Sequence, residues 1–265
     1  MHSIADRDRH RVDVNGRLDV LLALTASDLR ARYGRGRLRF AKWLLDPFAA
    51  LGVYLVLVAA VLDRPGRATA LSIACAVVPF QLVIMAVTSS MNAVRLRRAI
   101  VLNMRFDREL LPLSTVLTET VAFIAALGLL GAVMAGSRVT PTVHVLWLLV
   151  FVPLTVLLAF GMSVPATLFG VWYRDLTVFA VSFVRTLFFV APGLVALDGV
   201  PEPAATLLKA NPLSGLFEGY RDALLYGRAP DPWQILVPLA FSVAFLGLFV
   251  PVYRGEEAHL AKVVE

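Results

Sequence analysis

The stretch ATALSIACAVVPFQLVIMAVTSSM, residues 68–91, contains no charged side chain. A helix advances ~1.5 Å per residue, so about 20 apolar residues cross the ~30 Å hydrocarbon layer of a bilayer. This stretch is long enough, and it is apolar on all sides rather than along one stripe, as a helix surrounded by lipid is. It therefore predicts a membrane-spanning helix.

Five further stretches of the chain have the same character, and they run roughly over residues 44–62, 117–135, 143–169, 176–197 and 233–253. A buried helix of a soluble protein explains one such stretch but not six in a chain that is 58% hydrophobic. We expect an all-α polytopic membrane protein with six transmembrane helices in one domain, residues 44–253. A tail of residues 1–43 precedes this domain, and a tail of residues 254–265 follows it.

The distribution of basic residues predicts the orientation, because short loops rich in Lys and Arg stay cytoplasmic. With six spans, both termini lie on one side, and placing that side in the cytoplasm gathers 18 of the 25 basic residues there. The formal net charge of +6 then indicates topology and contact with anionic lipid rather than nucleic-acid binding. We expect a multi-pass protein with both termini cytoplasmic.

Several function classes lack their sequence signatures. The four histidines are far apart and have no His-Glu-x-x-His or paired-Cys spacing, so no metal site is expected. There is no Gly-x-Ser-x-Gly elbow and no Gly-Lys dipeptide, so the phosphate-binding loop of an ATPase is not in this polypeptide. Any nucleotide energy must come from a partner. The charged first 43 residues also predict no removable signal peptide.

The N-terminal tail shows helical periodicity followed by a basic run. Five residues recur at helical spacing and predict an amphipathic helix in the membrane interface: Leu18, Leu22, Thr25, Leu29 and Tyr33. Residues 30–42 then combine many basic residues with aromatic side chains, which suits lipid headgroups. An interfacial gate beside a channel entrance and a simple topological anchor both need these residues, and both interpretations stay open.

The polar segment 92–114 separates the second and third spans. If residues 92–105 are helical, Ala93, Leu96, Ile100 and Met104 share one face, with basic residues roughly opposite. Such a basic amphipathic helix either rests on anionic lipid or docks into a groove of a soluble partner. Pro112 then suits a helix boundary before the third span.

One charged residue lies deep within a predicted span. Arg185 falls near the middle of the fifth span, where a charge costs about 2.5–3.5 kcal/mol and usually faces a cavity or partner. We expect it on a channel wall with Ser182, Phe188 and Phe189, where aromatic rings can contact sugars or the guanidinium. The alternative is a structural hydrogen bond to carbonyls freed by Pro192 or by a neighbouring helix.

The connector 198–232 predicts short external helices. Asn211 and Pro212 suit a helix start, and Gly227 suits its end. An apolar face would pack on the span tips or dip into lipid, leaving the charges in water or at a pore mouth. Glu218 and Asp222 share a helix side, which permits acid–base chemistry, but Arg221 beside them favours ordinary salt bridging.

Small residues recur every fourth position in the third span, at Gly128, Ala132 and Gly136. Such a ridge permits close helix approach. Packing within one protomer and dimerisation both explain it.

Several motifs taken in order resemble one family. They are Arg30-Ala-Arg-Tyr-Gly, Trp43-Leu-Leu-Asp-Pro47, Phe106-Asp-Arg-Glu-Leu-Leu-Pro-Leu113, Tyr173-Arg-Asp175, Asn211-Pro-Leu and Glu218-Gly-Tyr-Arg-Asp222 with Leu-Leu-Tyr-Gly227. This ordered set, over about residues 18–253, resembles the membrane (permease) subunits of type-2 ABC exporters. It is most like the branch that exports lipid-linked polysaccharide such as O-antigen, teichoic acid, capsule or galactan.

The resemblance implies a bacterial inner-membrane homodimer that pairs with two copies of a cytoplasmic ABC ATPase. The permease would form the channel for a lipid-linked glycan and catalyse nothing, binding no cofactor, while the ATPase uses ATP and Mg. The segment near 92–103 would be the coupling helix, with these residues toward the ATPase: Arg95, Leu96, Arg97, Arg98, Ile100 and Met104. The interface helix at the entrance would contribute Arg30, Arg32, Tyr33, Arg35, Arg37, Arg39 and Trp43. The short external helices at the exit would contribute Phe217, Glu218, Tyr220, Arg221 and Asp222.

Two other functions remain possible from the sequence. One is an exporter of the same architecture for a small drug-like or lipid substrate. The other is a membrane-embedded glycosyl- or acyltransferase that uses Glu218 or Asp222.

Overall fold

The computed structural model describes residues 14–33, 52, 67–103, 107–137, 139–194 and 196–256. These residues form helices and turns, with no strand among them. The helices are α1 (Val14–Tyr33), α2 (Arg67–Met91), α3 (Ala93–Leu96), α4 (Arg98–Asn103), α5 (Leu110–Gly136), α6 (Leu148–Trp172), α7 (Thr177–Val190), α8 (Ala204–Lys209), α9 (Pro212–Arg221) and α10 (Pro232–Gly255).

The chain is a helical multi-pass membrane protein. Within the described ranges, four helices are long and apolar enough to cross a bilayer: Ala70–Met91, Leu110–Gly136, Val143–Trp172 and Pro232–Gly255. The last three turn much of their surface outward, as helices in lipid do, whereas α2 is largely buried. The predicted first span, 44–62, lies outside the described residues, so the count of six stays a prediction.

The predicted fifth span is shorter than expected. A single helix over 176–197 was the expectation, but α7 has 14 residues and ends at Val190. Ala191 takes an extended conformation with ψ 157°, because the ring of Pro192 disfavours the helical region for the residue before it. The backbone carbonyls after Val190 therefore lose their helical partners, which requires other donors in the bundle.

Helix α2 forms the centre of the bundle. It packs against α5, α6, α7 and α9, and its buried residues join those of its neighbours in one apolar cluster. At one end of the bundle α2 ends, α5 begins and α1 packs, and we call this the α1 end. At the other end α2, α6 and α10 begin around α9, and we call this the α9 end.

Helix α1 forms as predicted, but its inward face differs from the predicted stripe. Leu18 and Leu22 are exposed, whereas Leu21 and Leu24 are buried. Leu24 packs in a cluster with residues of α3, α4 and α5. The inward face continues through Thr25, Asp28 and Arg32, at the i, i+3, i+7 spacing of one helix face. Asp28 and Arg32 form ion pairs with the rest of the bundle, and these pairs hold this face inward. The apolar pattern alone did not indicate this face.

The predicted single helix over 92–105 is instead two short helices. Helix α3 ends at Leu96 and α4 begins at Arg98, because Arg97 leaves the helical conformation with φ −108° and ψ 26°. Leu96, predicted on the apolar face with Ala93, is 81% exposed, while Ala93 is buried. The break thus presents one large apolar side chain to the surroundings.

The small-residue ridge of α5 faces outward. Gly128, Ala132 and Gly136 are exposed, and a methyl group added at Gly128 or Gly136 would meet nothing within 4 Å. Packing within the described part of the chain therefore does not explain the ridge.

Gly170 is the point where α6 approaches the end of α2 most closely. A methyl group there would overlap the backbone carbonyl of Met91. We predict that Gly170→Ala lowers the free energy of unfolding by about 1–3 kcal/mol, because two backbones must separate. An SDS titration of the protein in detergent micelles measures this.

The control is Gly131→Ala, since α5 has open space at Gly131. Alanine is the better helix former, so this variant should be at least as stable as the wild type. Equal stability of the two variants would contradict the close approach.

Candidate functional site

Helix α9 begins and ends as the sequence predicts. The Asn211 side-chain oxygen accepts a hydrogen bond from the Leu213 backbone N–H at 3.0 Å, with Pro212 as the first helical residue. A π-helical turn, Asp222–Tyr226, extends α9, and Gly227 ends it in the left-handed conformation with φ 60°. These local signals place the segment Glu218-Gly-Tyr-Arg-Asp222 on one rigid element.

Arg221 connects α9 to the broken end of α7. Its guanidinium is 0% exposed and donates to the carbonyls of Ser72 at 3.0 Å, Pro192 at 2.7 Å and Gly193 at 2.9 Å. The carbonyls freed by Pro192 are therefore satisfied by Arg221, and not by Arg185 as the alternative interpretation held. One side chain thus joins α2, α9 and the segment after α7, and two of its three acceptors lie where the backbone has left the helix.

Two buried carboxylates complete this arrangement. Glu218 accepts from Arg221 at 2.7 Å and from the Leu197 backbone N–H at 2.9 Å. Asp222 accepts from Arg228 at 2.6 Å and from the Gln234 amide at 2.8 Å. Every charge in the set has a partner, which is the condition for burying ions at tolerable cost.

The burial of these charges corrects the sequence prediction. Glu218, Arg221 and Asp222 were expected in water or at a pore mouth, but all three are buried, as are Phe217 and Tyr220. The reason is that α9 is enclosed on its polar side as well, by α2, the end of α7 and the start of α10. Residues of five separate segments supply the partners, and no local pattern reveals them.

Arg228 lies between this group of buried charges and the solvent. Its side chain is half exposed, and it lies 3.5 Å from Asp198 as well as against Asp222. The hydrogen bond to Asp222 raises the pKa of Arg228 above its ordinary value, so the guanidinium stays charged and compensates the buried carboxylate.

Aromatic rings hold α9 against the spans. Phe217 packs with Phe80 and Phe188, at ring distances of 6.4 and 5.6 Å. The Tyr220 hydroxyl lies 3.0 Å from that of Thr155. Phe188, predicted on a channel wall, is therefore a core residue with 1% exposure, because the broken end of α7 turns it toward α9.

A second polar network lies at the α1 end. Arg32 of α1 donates to Glu119 of α5 at 2.6 Å, and Ser89 of α2 donates to the same carboxylate at 2.8 Å. Arg97, at the break between α3 and α4, pairs with Asp28 of α1 and contacts the Thr115 hydroxyl at 3.3 Å. The network joins α1, α2, α5 and the α3–α4 break around a groove of about 470 Å³.

Local sequence patterns do not reveal this network. Glu119 lies near the start of α5, and its partners Arg32 and Ser89 are 87 and 30 residues away in sequence. Asp28 and Arg32, four residues apart on α1, were not connected with Arg97 or Glu119, since these pairings span 69 and 87 residues of sequence.

The predicted coupling and interface residues are described in part. Arg95, Leu96 and Arg98 are exposed and Ile100 is half-buried, whereas Arg97 turns inward with 10% exposure. Arg30 is exposed, and Tyr33 ends α1. Five of the predicted residues lie outside the described residues: Arg35, Arg37, Arg39, Trp43 and Met104.

The remaining predicted wall residues lie on the outer side of α7. Arg185, Ser182 and Phe189 are exposed. Arg185 also lines a groove with residues from the end of α2.

The known proteins that the chain resembles all have the same name. No protein-family profile matches the chain. It is 23% identical over 234 residues, 88% of this chain and 90% of the relative, to an O-antigen export system permease protein RfbA of Klebsiella pneumoniae. It is 24% identical over 247 residues, 92% of this chain and 95% of the relative, to a protein of the same name from Myxococcus xanthus.

A further Klebsiella pneumoniae protein of that name is 23% identical over 210 residues, 79% of this chain and 81% of the relative. These matches over most of the chain, together with the apolar helices, confirm the resemblance to the permease subunits of type-2 ABC exporters. The proteins that the chain resembles are thus named as transport proteins.

The buried Arg221 generates the first prediction for this site. Arg221→Ala leaves Glu218 buried without its cation and frees three carbonyls, so the free energy of unfolding should fall by about 3–5 kcal/mol. Arg221→Lys, which keeps the charge with fewer donors, should lose less. SDS titration of the purified variants measures both.

The control is Arg254→Ala, because Arg254 forms an exposed pair with Glu109. Exposed pairs contribute at most about 1 kcal/mol. If Arg221→Ala and Arg254→Ala unfold at the same SDS fraction, Arg221 does not hold the broken helix.

The pairing of Asp28 with Arg97 generates the second prediction. Asp28→Arg or Arg97→Asp alone should loosen α1, since like charges replace an ion pair, and amide exchange in α1 should accelerate about tenfold. The double variant reverses the pair and should restore slow exchange. Hydrogen–deuterium exchange measures this, and a double variant as fast as the singles would contradict the ion pair.

Proposed function

We propose that this chain is the channel-forming permease subunit of an ATP-driven exporter that moves a lipid-linked polysaccharide from the cytoplasm across the bacterial cell membrane. The observation that carries the proposal is similarity over 79–92% of the chain to proteins named O-antigen export permeases. The helical membrane fold supports it. In this proposal the chain itself binds no cofactor.

The energy source is a separate cytoplasmic ABC ATPase, which uses ATP and Mg. Leu96 supports this proposal. Its large apolar side chain is 81% exposed and lies at a helix break, between the exposed Arg95 and the inward-turned Arg97. Such a side chain suits insertion into a partner's groove. Two copies of the ATPase would bind two copies of the permease, and the outward small-residue ridge of α5 is compatible with close contact between helices.

The orientation follows from the positive-inside rule. With the α1 end in the cytoplasm, both termini are cytoplasmic, and the basic residues of the N-terminal tail and residues 92–108 face anionic lipid. The α9 end then faces outward. In this arrangement α1 guards the entrance, and α9 is a re-entrant element beneath the exit.

The network at the α1 end gives the coupling a physical route. Arg97 adjoins Leu96, and its guanidinium holds Asp28 of α1. Displacement of the α3–α4 break by the ATPase would therefore act directly on α1. The route is the Arg97–Asp28 contact between the α3–α4 break and α1, since Arg97 is itself part of the break.

The transferase alternative is not favoured. Its proposed acid–base groups, Glu218 and Asp222, are buried, and both are occupied by hydrogen-bond partners. A general acid or base must reach its substrate, and these carboxylates have no open approach. Export of a small drug-like or lipid substrate by the same architecture is the other alternative, but the relatives carry polysaccharide-export names.

Deletion of the gene in its host tests the proposed function. We expect loss of a surface polysaccharide and accumulation of its lipid-linked precursor inside the cell, since synthesis continues without export. Extraction of lipid-linked glycan and surface labelling measure both quantities. An unchanged surface polysaccharide would contradict the proposal.

Docking of the ATPase makes a separate prediction. Leu96→Ser should reduce co-purification of the ATPase about tenfold or more, because apolar anchors dominate such interfaces. The matched control is Leu207→Ser, since Leu207 is 77% exposed on α8 at the opposite end. Equal ATPase recovery with both variants would contradict the docking role of Leu96.

A further inference from the structure

A small groove separates the end of α2 from α7. Its volume is about 260 Å³, and its polar lining residues are Thr88 of α2, Asn92 just after α2, and Thr177, Ser182 and Arg185 of α7; Met91, Val178 and Val181 complete the lining. None of the lining residues is acidic. The groove therefore carries one positive charge beside hydroxyl and amide groups.

The Arg185 guanidinium has no hydrogen bond or ion pair to another residue in the described part of the chain. The carbonyls of Pro192 and Gly193, the nearest partners that the sequence suggested, are taken by Arg221. A guanidinium within an apolar helix requires water or an anion for its five N–H groups. Arg185 thus has donors available for a ligand.

The groove lies where a lipid headgroup can reach it. Thr88 and Asn92 are at the end of α2, and Arg185 is eight residues after Thr177, or ~12 Å along α7. The long stem of an arginine carries its charged group several ångströms toward the membrane surface. In a bilayer whose surface lies at the α1 end, the guanidinium would therefore reach the headgroup layer.

The larger groove at the same end has a different charge balance. Its cations Arg32 and Arg97 are paired with Glu119 and Asp28. An anionic ligand there would have to displace a carboxylate. The groove at Arg185 imposes no such competition.

We propose that the groove between α2 and α7 binds the phosphate of a lipid-attached phosphate or diphosphate, with Arg185 as its principal ligand. Guanidinium matches phosphate in geometry and donates two parallel, charge-assisted hydrogen bonds. Thr88 and Asn92 also line the groove, and their hydroxyl and amide groups could donate to further phosphate oxygens. Two sources share this chemistry, namely a prenyl diphosphate carrier and an anionic phospholipid of the bilayer. The assignment to a carrier rests on the proposed function, whereas the phosphate site does not.

Binding to the purified full-length chain in phosphatidylcholine nanodiscs tests the site without ATPase or export. The probe is radiolabelled farnesyl diphosphate. We expect Arg185→Gln to weaken its binding by about tenfold or more, the loss of one charge-assisted contact. Arg185→Lys keeps the charge without the planar fork and should bind with intermediate affinity.

Two controls separate the site from general effects. Lys209→Gln removes one positive charge on α8, at the other end of the bundle, and Thr186→Ala alters the exposed residue that follows Arg185. Both should bind the probe as the wild type does. Because Arg185 is exposed, its variants should retain the elution volume and helical circular dichroism of the wild type.

A second set of nanodiscs containing phosphatidylglycerol distinguishes the two sources. If phosphatidylglycerol competes with farnesyl diphosphate in the wild type but not in Arg185→Gln, the site binds lipid phosphate in general. Absence of competition assigns it to the diphosphate of a carrier. Wild-type affinity of Arg185→Gln for farnesyl diphosphate would overturn the proposal, and the proposed export function would stand or fall separately.

Discussion

The structure depends on the satisfaction of backbone carbonyls where a helix breaks inside an apolar bundle. Pro192 ends α7 after 14 residues, and the carbonyls that follow cannot bind water in a low-dielectric interior. Arg221 supplies three donors to carbonyls of α2 and of the segment after α7. Because Glu218 neutralises that guanidinium, a short helix with three charged residues at its end is held inside the bundle rather than on its surface.

The opposite end of the bundle also has an interrupted helical segment held by arginine. At the break between α3 and α4, the Arg97 side chain turns inward. The Arg97 guanidinium connects α1 to the bundle through Asp28. Glu119 adds a second connection through Arg32. Each end of the bundle thus contains an interrupted helix held by an arginine–carboxylate pair.

The sequence predicted the features that local chemistry determines. Apolar length identified the long spans, and Asn211, Pro212 and Gly227 delimited α9 and its extension because capping is a property of a few adjacent residues. It did not predict which face of α1 is buried, or that Arg221 rather than Arg185 binds the broken end of α7. Those outcomes depend on partners separated by 28 to 149 residues, and one chain without its packing does not reveal such pairs.

Reconstitution tests the central claim most directly. Inside-out proteoliposomes would contain the permease, its ATPase and lipid-linked glycan from the same host, and glycan protected from an added glycosidase would be measured with and without ATP. The account predicts that protection rises only when ATP and both proteins are present. Protection that rises without ATP or without the ATPase, or that never rises, would contradict it.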